Sequence, residues 1–372
     1  MSLMQQRLEQ ISASIPQISP QQAYTRQQQG ATLLDVREPG AIEQGSPVKA
    51  CRLSRSFLEV MVEKQLPDPD QQVITICETG VCSMFAADDL LRLGYTNISS
   101  VKGGYRAWKT AGLESEIPVQ LGADARARYA RHLVIPEIGE QGQSKLMQAK
   151  VLVIGAGGLG SPVALYLAAA GVGTLGLLDD DIVDKSNLQR QILHDDAHVG
   201  IPKVETARYR LRSLNPEINI HTQNLRLDSS NADKLVADYD LVVDGSDNLA
   251  TRYSVNDACL KTGIPLVYGA VFRFQGQVSV FNYRVANGTL SACYRCLFAD
   301  TGDSEPPGCS DVGVLGVLPG VIGTLQATEA LKILLGIGEP LAGVLLSYDA
   351  LSTDFRKTQL QADAGCRCRK YS

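Results

Sequence analysis

Short apolar runs alternate with polar, glycine-marked breaks along the first third of the chain. "TLLDV" (32–36) and "VITIC" (73–77) are continuous, carry β-branched residues and are bounded by turn formers, which predicts buried strands. "SMFAADDLLRLG" (83–94) changes period: Phe85, Leu90, Leu91 and Leu93 fall on one helical face, stopped by Gly94. "VKGGYRAWKTAG" (101–112) reads as a strand end, a glycine turn and another helix. Strands alternating with helices predict a small α/β domain with a parallel sheet over residues 1–115. Mixed text with Pro118 and Gly122 predicts a linker over 116–125, and a second α/β domain fills 126–372.

One run tests that reading. Val151 to Leu178 is 28 residues without a charge, long enough to suggest a membrane span. Seven of those residues are glycine and one is Pro162, so the run divides into strand, glycine turn, helix and strand. No lipid-facing helix is expected there.

Composition narrows the picture only a little. The 372 residues carry a formal net charge of −5 and no polybasic run, so nucleic acid is not an expected partner. The first residues, "MSLMQQRLEQISASIP", lack a charged-then-apolar leader, and a cytoplasmic location with no membrane association is the expectation. Nine unevenly spaced cysteines then point to metal or thiol chemistry rather than a disulfide frame.

"KVLVIGAGGLGSPVALYLAAAGVGTLGLLDDD" (150–181) places Gly155, Gly157 and Gly160 between a strand and a helix, with Asp179 at the next strand end. Such glycines let backbone approach phosphates at a helix N-terminus, and Asp179 is positioned to accept ribose hydroxyls. Alone, the motif favours a dinucleotide dehydrogenase. "SNLQRQILH" (186–194), "VGIPK" (199–203) and "LVVDGSDN" (241–248) reverse that preference. Arg190 and Lys203 supply cations, while Asp244 and Asp247 end an apolar strand where carboxylates commonly hold Mg²⁺. Each charge taken singly reads as solvated surface. Together, beside a phosphate cradle, they suit attack of a carboxylate on ATP, where two anions must be brought together. Hydride transfer needs none of them.

Cys293 and Cys296 in "ACYRCLF", with Cys366 and Cys368 in "AGCRCRK", read as a four-thiolate structural zinc site, with free thiols the alternative. Cys309 stands apart in "DTGDSEPPGCSDVG", a polar loop where a reactive group could be carried or a bystander tolerated. Cys259 reads as helix core, and Cys51 has no supporting motif.

The motifs "RYARHLVIPEIGEQGQSKL", "GAGGLGSP", "DIVDKSNLQRQ", "VGIPK", "DGSDN", "CYRCLF" and "GVLPGVIGTLQATEALKILLG" resemble the MoeB/ThiF-type, ubiquitin-activating-enzyme-like family. Its members adenylate sulfur-carrier proteins in molybdopterin and thiamine biosynthesis. The resemblance covers about residues 126–372 and implies a Rossmann-like domain with a mixed sheet. It implies ATP or Mg²⁺ contacts at Gly158, Asp179, Ser186, Asn187, Leu188, Gln189, Arg190, Lys203, Asp247 and Asn248. Arg131, in "RYARH", would reach the triphosphate from the other subunit of a homodimer. Arg190, Arg131 and Asp247 would thus be catalytic, and Cys309 matches a loop cysteine that in some members attacks the carrier. The family's terminal pair is CxxC; here it is CxC, with Arg369 at the usual fourth position.

"LLDVREPGAIEQG", "VITICETGVCS" and "SVKGGYRAWKTAGL" resemble a single-domain rhodanese over about residues 18–115. That implies a loop wrapped around Cys77, whose inward N–H groups would stabilise a thiolate or persulfide. The family usually ends this loop with arginine then serine; here Cys82 precedes Ser83, and "GSPVKA" (45–50) replaces the usual "GHIPGA". The combined expectation is adenylation of the Gly-Gly tail of a ubiquitin-like sulfur carrier, then transfer of sulfur from Cys77. Persulfide or thiosulfate would be the donor. The alternatives are an adenylyltransferase with an idle rhodanese-like docking domain, or a nucleotide-regulated sulfur-sensing module.

Overall fold

The computed structural model describes residues 2–117, 121–285, 288–298, 313–363, 365, 366, 368 and 370. The chain divides into two compact units, Met1–Gln120 and Leu121–Ser372.

The first unit is built on five short parallel strands. They are β1 (Gln17–Ile18), β2 (Thr32–Asp35), β4 (Cys51–Arg52), β5 (Val73–Ile76) and β6 (Ile98–Val101), ordered β1-β6-β5-β2-β4. A two-stranded ribbon joins β3 (Ser46–Pro47) to β7 (Ser115–Glu116), so Ser115 and Glu116 belong to this unit. Alternation along the strands sends neighbours to opposite faces. Leu34, Val73 and Cys77 join Leu58, Val62 and Leu90 on one side; Leu33, Ile74 and Ile76 join Tyr105 and Trp108 on the other. Trp108 is fully buried, its indole N–H donating to the Glu114 carbonyl at 3.0 Å. The predicted strands 32–36 and 73–77 each lose their last residue, leaving Val36 and Cys77 just beyond the sheet.

The helix expected over 83–94 runs from Val81 to Arg92, so Cys82 lies in its first turn rather than at the end of a loop. Its buried face also differs from the expected one. Ser83, Met84, Ala86, Ala87 and Leu90 are inside, Phe85 and Leu91 are half-buried, and Leu93 is exposed. Small side chains let this helix lie close to the sheet. The larger Phe85 and Leu91 turn to the flank, where Leu8 of the Leu3–Ser14 helix joins the same cluster.

The second unit has one eight-stranded mixed sheet. Its strands are β8 (Lys150–Ile154), β9 (Thr174–Leu178), β10 (Asn219–Gln223), β11 (Leu241–Asp244), β12 (Leu266–Phe272), β13 (Gln275–Phe281), β14 (Val344–Asp349) and β15 (Asp354–Gln359). The order is β10-β9-β8-β11-β12-β13-β14-β15, parallel from β10 to β12 and antiparallel beyond. The charge-free run becomes β8, a glycine turn, the Gly160–Ala170 helix and β9. Among the described residues no helix is long and apolar enough to cross a membrane. After β8 the chain goes to β9 on one side and later to β11 on the other, which opens a crevice at the carboxyl ends of β8 and β11. Helix Leu318–Leu335 packs on the Gly160–Ala170 helix and on β12 and β13. A Cβ at Gly323 would meet Pro162 at 2.5 Å, and one at Gly276 would meet Ile322 at 2.3 Å.

The revised helix face is testable. Leu90→Ala should cost about 2–5 kcal/mol by opening a cavity, whereas Leu93→Ser should fall within about 0.5 kcal/mol of neutral. Urea unfolding of the first unit followed by circular dichroism measures both; equal losses would restore the face expected from the sequence.

Candidate functional site

The crevice at the ends of β8 and β11 is closed by backbone contact. Gly155 has φ +86°, and a Cβ there would lie 2.9 Å from the Gly245 carbonyl oxygen; one at Gly160 would lie 1.8 Å from the Gly155 carbonyl oxygen. Only glycine allows the turn to fold this tightly onto the helix start. A Cβ at Gly157 would lie 3.6 Å from the Gln191 amide, and one at Gly158 would lie 3.1 Å from Pro319 and 3.6 Å from the Arg190 stem. A Cβ at Gly316 would sit 2.3 Å from the Gln189 side-chain oxygen. The glycine loop, the 186–191 segment, the 244–248 loop and the start of the Leu318–Leu335 helix therefore converge.

Asp179 is tied into this loop from below. Its Oδ2 accepts the Ala156 N–H at 2.7 Å and its Oδ1 accepts the Asp181 N–H at 2.9 Å. Burial pushes its pKa up, opposed by Lys203 and by those two N–H groups. Lys203 is 5 % exposed, and its Nζ donates to Asp181 Oδ2 at 2.8 Å. Arg190 donates to the Ser186 carbonyl at 3.1 Å. Asp184 organises the turn ahead of it, accepting from Ser186 N and Oγ, while its own N–H donates to Asn187 Oδ1 at 3.2 Å.

The two acidic residues after β11 part company. Asp244 is buried and accepts the Ser246 N–H at 2.9 Å, with burial raising its pKa, so it is spent within the fold. Asp247 is exposed and is the carboxylate of the pair that faces outward. Asn248, expected at ATP, caps the Leu249–Thr262 helix by accepting the Thr251 N–H at 2.9 Å. Leu188 is half-buried, and Arg131 is exposed on the short Ala130–Leu133 helix.

Sequence reasoning missed His194. Its Nε2 donates to the Ala156 carbonyl at 2.9 Å, and its Nδ1 meets Thr206 Oγ1 at 2.6 Å. The carbonyl can only accept, so Nε2 carries the proton, and the single hydroxyl proton of Thr206 is shared between Nδ1 and the Lys203 carbonyl, 3.0 Å away. Ala156 is thereby gripped on both sides, its N–H by Asp179 and its carbonyl by His194. Nothing in the local text beyond the histidine itself signals this, because Thr206 lies on the next helix.

In the first unit, Cys77 is 3 % exposed. Its Sγ accepts the Gly80 N–H at 3.2 Å and lies 3.3 Å from Ser83 Oγ, which in turn accepts from Ser100 Oγ at 2.9 Å. The loop carbonyls are pinned too: Tyr105 N–H donates to Cys77 O at 2.7 Å and Arg106 N–H to Glu78 O at 3.1 Å. This needs Gly104 at φ +61°, where a Cβ would lie 2.3 Å from Cys77 O. Nearby arginines are already neutralised. Arg37 pairs with Asp35 at 2.6 Å and Glu78 at 3.2 Å, Arg106 with Glu78 at 3.2 Å, and Arg55 with Glu59 at 2.6 Å and with Asp89.

Four thiols of the second unit come together: Cys293 lies 3.8 Å from Cys296 and 3.6 Å from Cys366, and Cys296 lies 3.5 Å from Cys368. A tetrahedral thiolate site with metal–sulfur bonds of about 2.3 Å has edges of about 3.8 Å, so the cluster could hold a metal ion. The shortened CxC spacing still delivers Cys368, which is 2 % exposed. Cys259 is buried and its thiol is pushed well up by burial, as a core residue should be. Cys309 and Arg369 lie outside the described residues.

Residues 129–369 match the ThiF family, and residues 19–111 match the rhodanese-like domain. A protein of Thermus thermophilus called sulfur carrier protein adenylyltransferase is 50% identical over 243 residues, covering 64% of this chain and 89% of that one. The SAMP-activating enzyme E1 of Haloferax volcanii is 47% identical over 249 residues, covering 67% and 90%. The probable adenylyltransferase/sulfurtransferase MoeZ of Mycobacterium tuberculosis is 49% identical over 241 residues, but the match spans only 60% of that longer protein. Among solved structures, Escherichia coli MccB with ATP superposes with a TM-score of 0.55 at 22% identity, covering 68% of this chain and 76% of that one, a likeness of fold. The dehydrogenase reading of the glycine motif finds no support among these relatives.

The grip on Ala156 predicts a pH dependence. Burial lowers the His194 pKa below its usual 6.5, so the unfolded chain takes up a proton before the folded one. Stability must therefore fall as pH drops below about 6.5 toward the lowered value. His194→Gln should flatten that part of the profile, read as thermal midpoints between about pH 7.5 and about pH 5.5.

Proposed function

The chain belongs to the ThiF family, and from that membership we propose that it activates a ubiquitin-like sulfur carrier with ATP and then supplies the sulfur itself. The observation that carries this reading is that one chain holds both a glycine-forced phosphate loop and a thiol cup with an inward N–H. A carrier carboxylate attacks the α-phosphate of ATP, forming an acyl-adenylate and releasing pyrophosphate. The loop from Gly155 to Gly160 would cradle phosphate through the N–H groups that follow Ala156, with Gly157 and Gly158 leaving room for close approach, because those of Gly155 and Ala156 are held by Leu178 and Asp179. Asp179 would accept ribose hydroxyls while it orients Ala156.

The charges then divide the work. Arg190 and Lys203 would offset the negative charge gathered when two anions meet, Lys203 exchanging Asp181 for phosphate. Ser186, Asn187, Leu188 and Gln189 would form the wall beside the nucleotide, and Asn248 would contribute from the end of its helix. Asp247 would hold Mg²⁺, which supplies charge neutralisation at the phosphates when bound. Arg131 would act on the triphosphate of a second subunit, which makes the enzyme a homodimer. A carrier ending in Gly-Gly suits the site, because a tail without side chains can thread to the α-phosphate.

Sulfur would come from a persulfide on Cys77, whose terminal sulfur attacks the acyl-adenylate and expels AMP. Cys309 could accept the acyl group in the same sequence. Glu78 follows Cys77 directly, and every nearby arginine is paired, so the dianion thiosulfate would be a poor donor beside a thiol-borne persulfide. We assign zinc to Cys293, Cys296, Cys366 and Cys368 and a cytoplasmic setting to the whole reaction.

Intact mass of candidate carriers after incubation with ATP, persulfide donor and this chain tests the proposal: one oxygen should be replaced by sulfur at the carrier's end. Cys77→Ala should abolish that product and leave carrier-dependent ATP–pyrophosphate exchange within about twofold. Survival of the thiocarboxylate in Cys77→Ala would instead make the first unit a docking domain, and absence of exchange in the unaltered chain would remove adenylation.

Metal content gives a separate check. One zinc per chain is expected by elemental analysis, and Cys368→Ser should lower it and cost several kcal/mol of stability in the second unit, on the order of a lost structural ligand.

A further inference from the structure

Cys77 and Cys82 sit in one short segment but in opposite settings. Cys77 is buried at the foot of the loop, whereas Cys82 is exposed in the first turn of the Val81–Arg92 helix. The Cys77 sulfur is held by atoms on both sides of Cys82, the Gly80 N–H at 3.2 Å and Ser83 Oγ at 3.3 Å. It therefore lies under the turn that carries Cys82. The Cys77 side is rigid, since Cys77 O and Glu78 O accept the Tyr105 and Arg106 N–H groups and Gly104 leaves no space beneath. Any movement that joins the sulfurs falls on the exposed partner.

We propose that Cys82 is the resolving thiol of Cys77, closing a disulfide within the loop and thereby releasing the sulfur that Cys77 has passed on. The proposal rests on the sulfur-transfer reading above. After the persulfide attacks the acyl-adenylate, the carrier is joined to Cys77 as an acyl disulfide. Cys82, as thiolate, attacks Cys77 Sγ. The Cys77–Cys82 bond forms, the bond between Cys77 Sγ and the transferred sulfur breaks, and the electron pair leaves with the carrier as a thiocarboxylate. An external dithiol then attacks the exposed Cys82 sulfur, is itself oxidised to a disulfide, and returns both cysteines to thiols for reloading.

The local charges suit this order. Burial and the neighbouring Cys77 raise the Cys82 pKa, while Arg55 pulls it down. Once Cys77 is capped in a neutral disulfide its own contribution disappears, and that part of the upward push on Cys82 is lifted. Cys82 thus becomes easier to deprotonate when its attack is required. Confinement to one loop also gives it an effective concentration no thiol from solution can match at a buried sulfur.

The test uses the full chain and methyl methanethiosulfonate, which caps a thiolate as a methyl disulfide and releases methanesulfinate. With limiting reagent, the peptide containing Cys77 and Cys82 should be recovered without the methylthio group and lighter by two hydrogens. In Cys82→Ser, where the exposed site tolerates the change, the methylthio group should remain on Cys77 until a dithiol is added. A wild-type loop that keeps the group as long as Cys82→Ser, or a Cys77 that accepts it in neither protein, overturns the proposal. ATP–pyrophosphate exchange with a carrier is measured separately on the same proteins, so failure of adenylation and failure of the loop pair give different results.

Discussion

Two backbone atoms in near contact set the geometry of the second unit. The Cα of Gly160 presses on the carbonyl of Gly155, and Gly155 presses on the carbonyl of Gly245. Any side chain at Gly155 or Gly160 would drive the helix away from the strand and lift the turn off its neighbour. From this approach follow the crevice between β8 and β11, the helix start aimed into it, and the seat for Arg190 and Pro319 against Gly158. Asp179 and His194 then hold Ala156 so that the turn keeps its shape.

The first unit solves a related problem with sulfur. It too brings backbone together across glycine, here Gly104 under the Cys77 carbonyl. The amides at the start of the Gly104–Thr110 helix are spent on the loop's carbonyls, and the Gly80 N–H turns inward to the Cys77 sulfur. Both units thus use glycine to bring a loop against neighbouring backbone, which in the first unit turns the Gly80 N–H onto the Cys77 sulfur. The surrounding charge differs. Paired arginines and Glu78 around Cys77 leave little net attraction for a free dianion; in the second unit Lys203 is likewise paired, with Asp181, while Arg190 beside Gly158 bonds a carbonyl, that of Ser186, rather than a carboxylate.

Much of this was legible in the chain because it depends on residue types with few substitutes. Glycines at fixed spacing, a charge-free βαβ run and paired cysteines each have a narrow range of structural uses. The CxC pair was legible as a departure, and the structure accommodates it by bringing Cys368 to the cluster despite the missing residue. What escaped depends on partners distant in sequence. The helix after Cys77 buries its small residues because its separation from the sheet decides the face, and hydrophobicity alone selects Leu93 wrongly. His194 needs Thr206 and Ala156 to acquire meaning. Asp244 and Asp247 look alike in the text, and only the fold buries one and exposes the other.

Trp108 has a consequence of a different kind. It is the single tryptophan of the chain, fully enclosed beneath the Ile74 and Ile76 face, with its N–H on the Glu114 carbonyl and Tyr24 edge-on at 6.0 Å. Intrinsic indole fluorescence of this protein therefore belongs wholly to the first unit. The molecule carries a built-in optical label that reports the state of its rhodanese-like first unit and is blind to direct unfolding of the other.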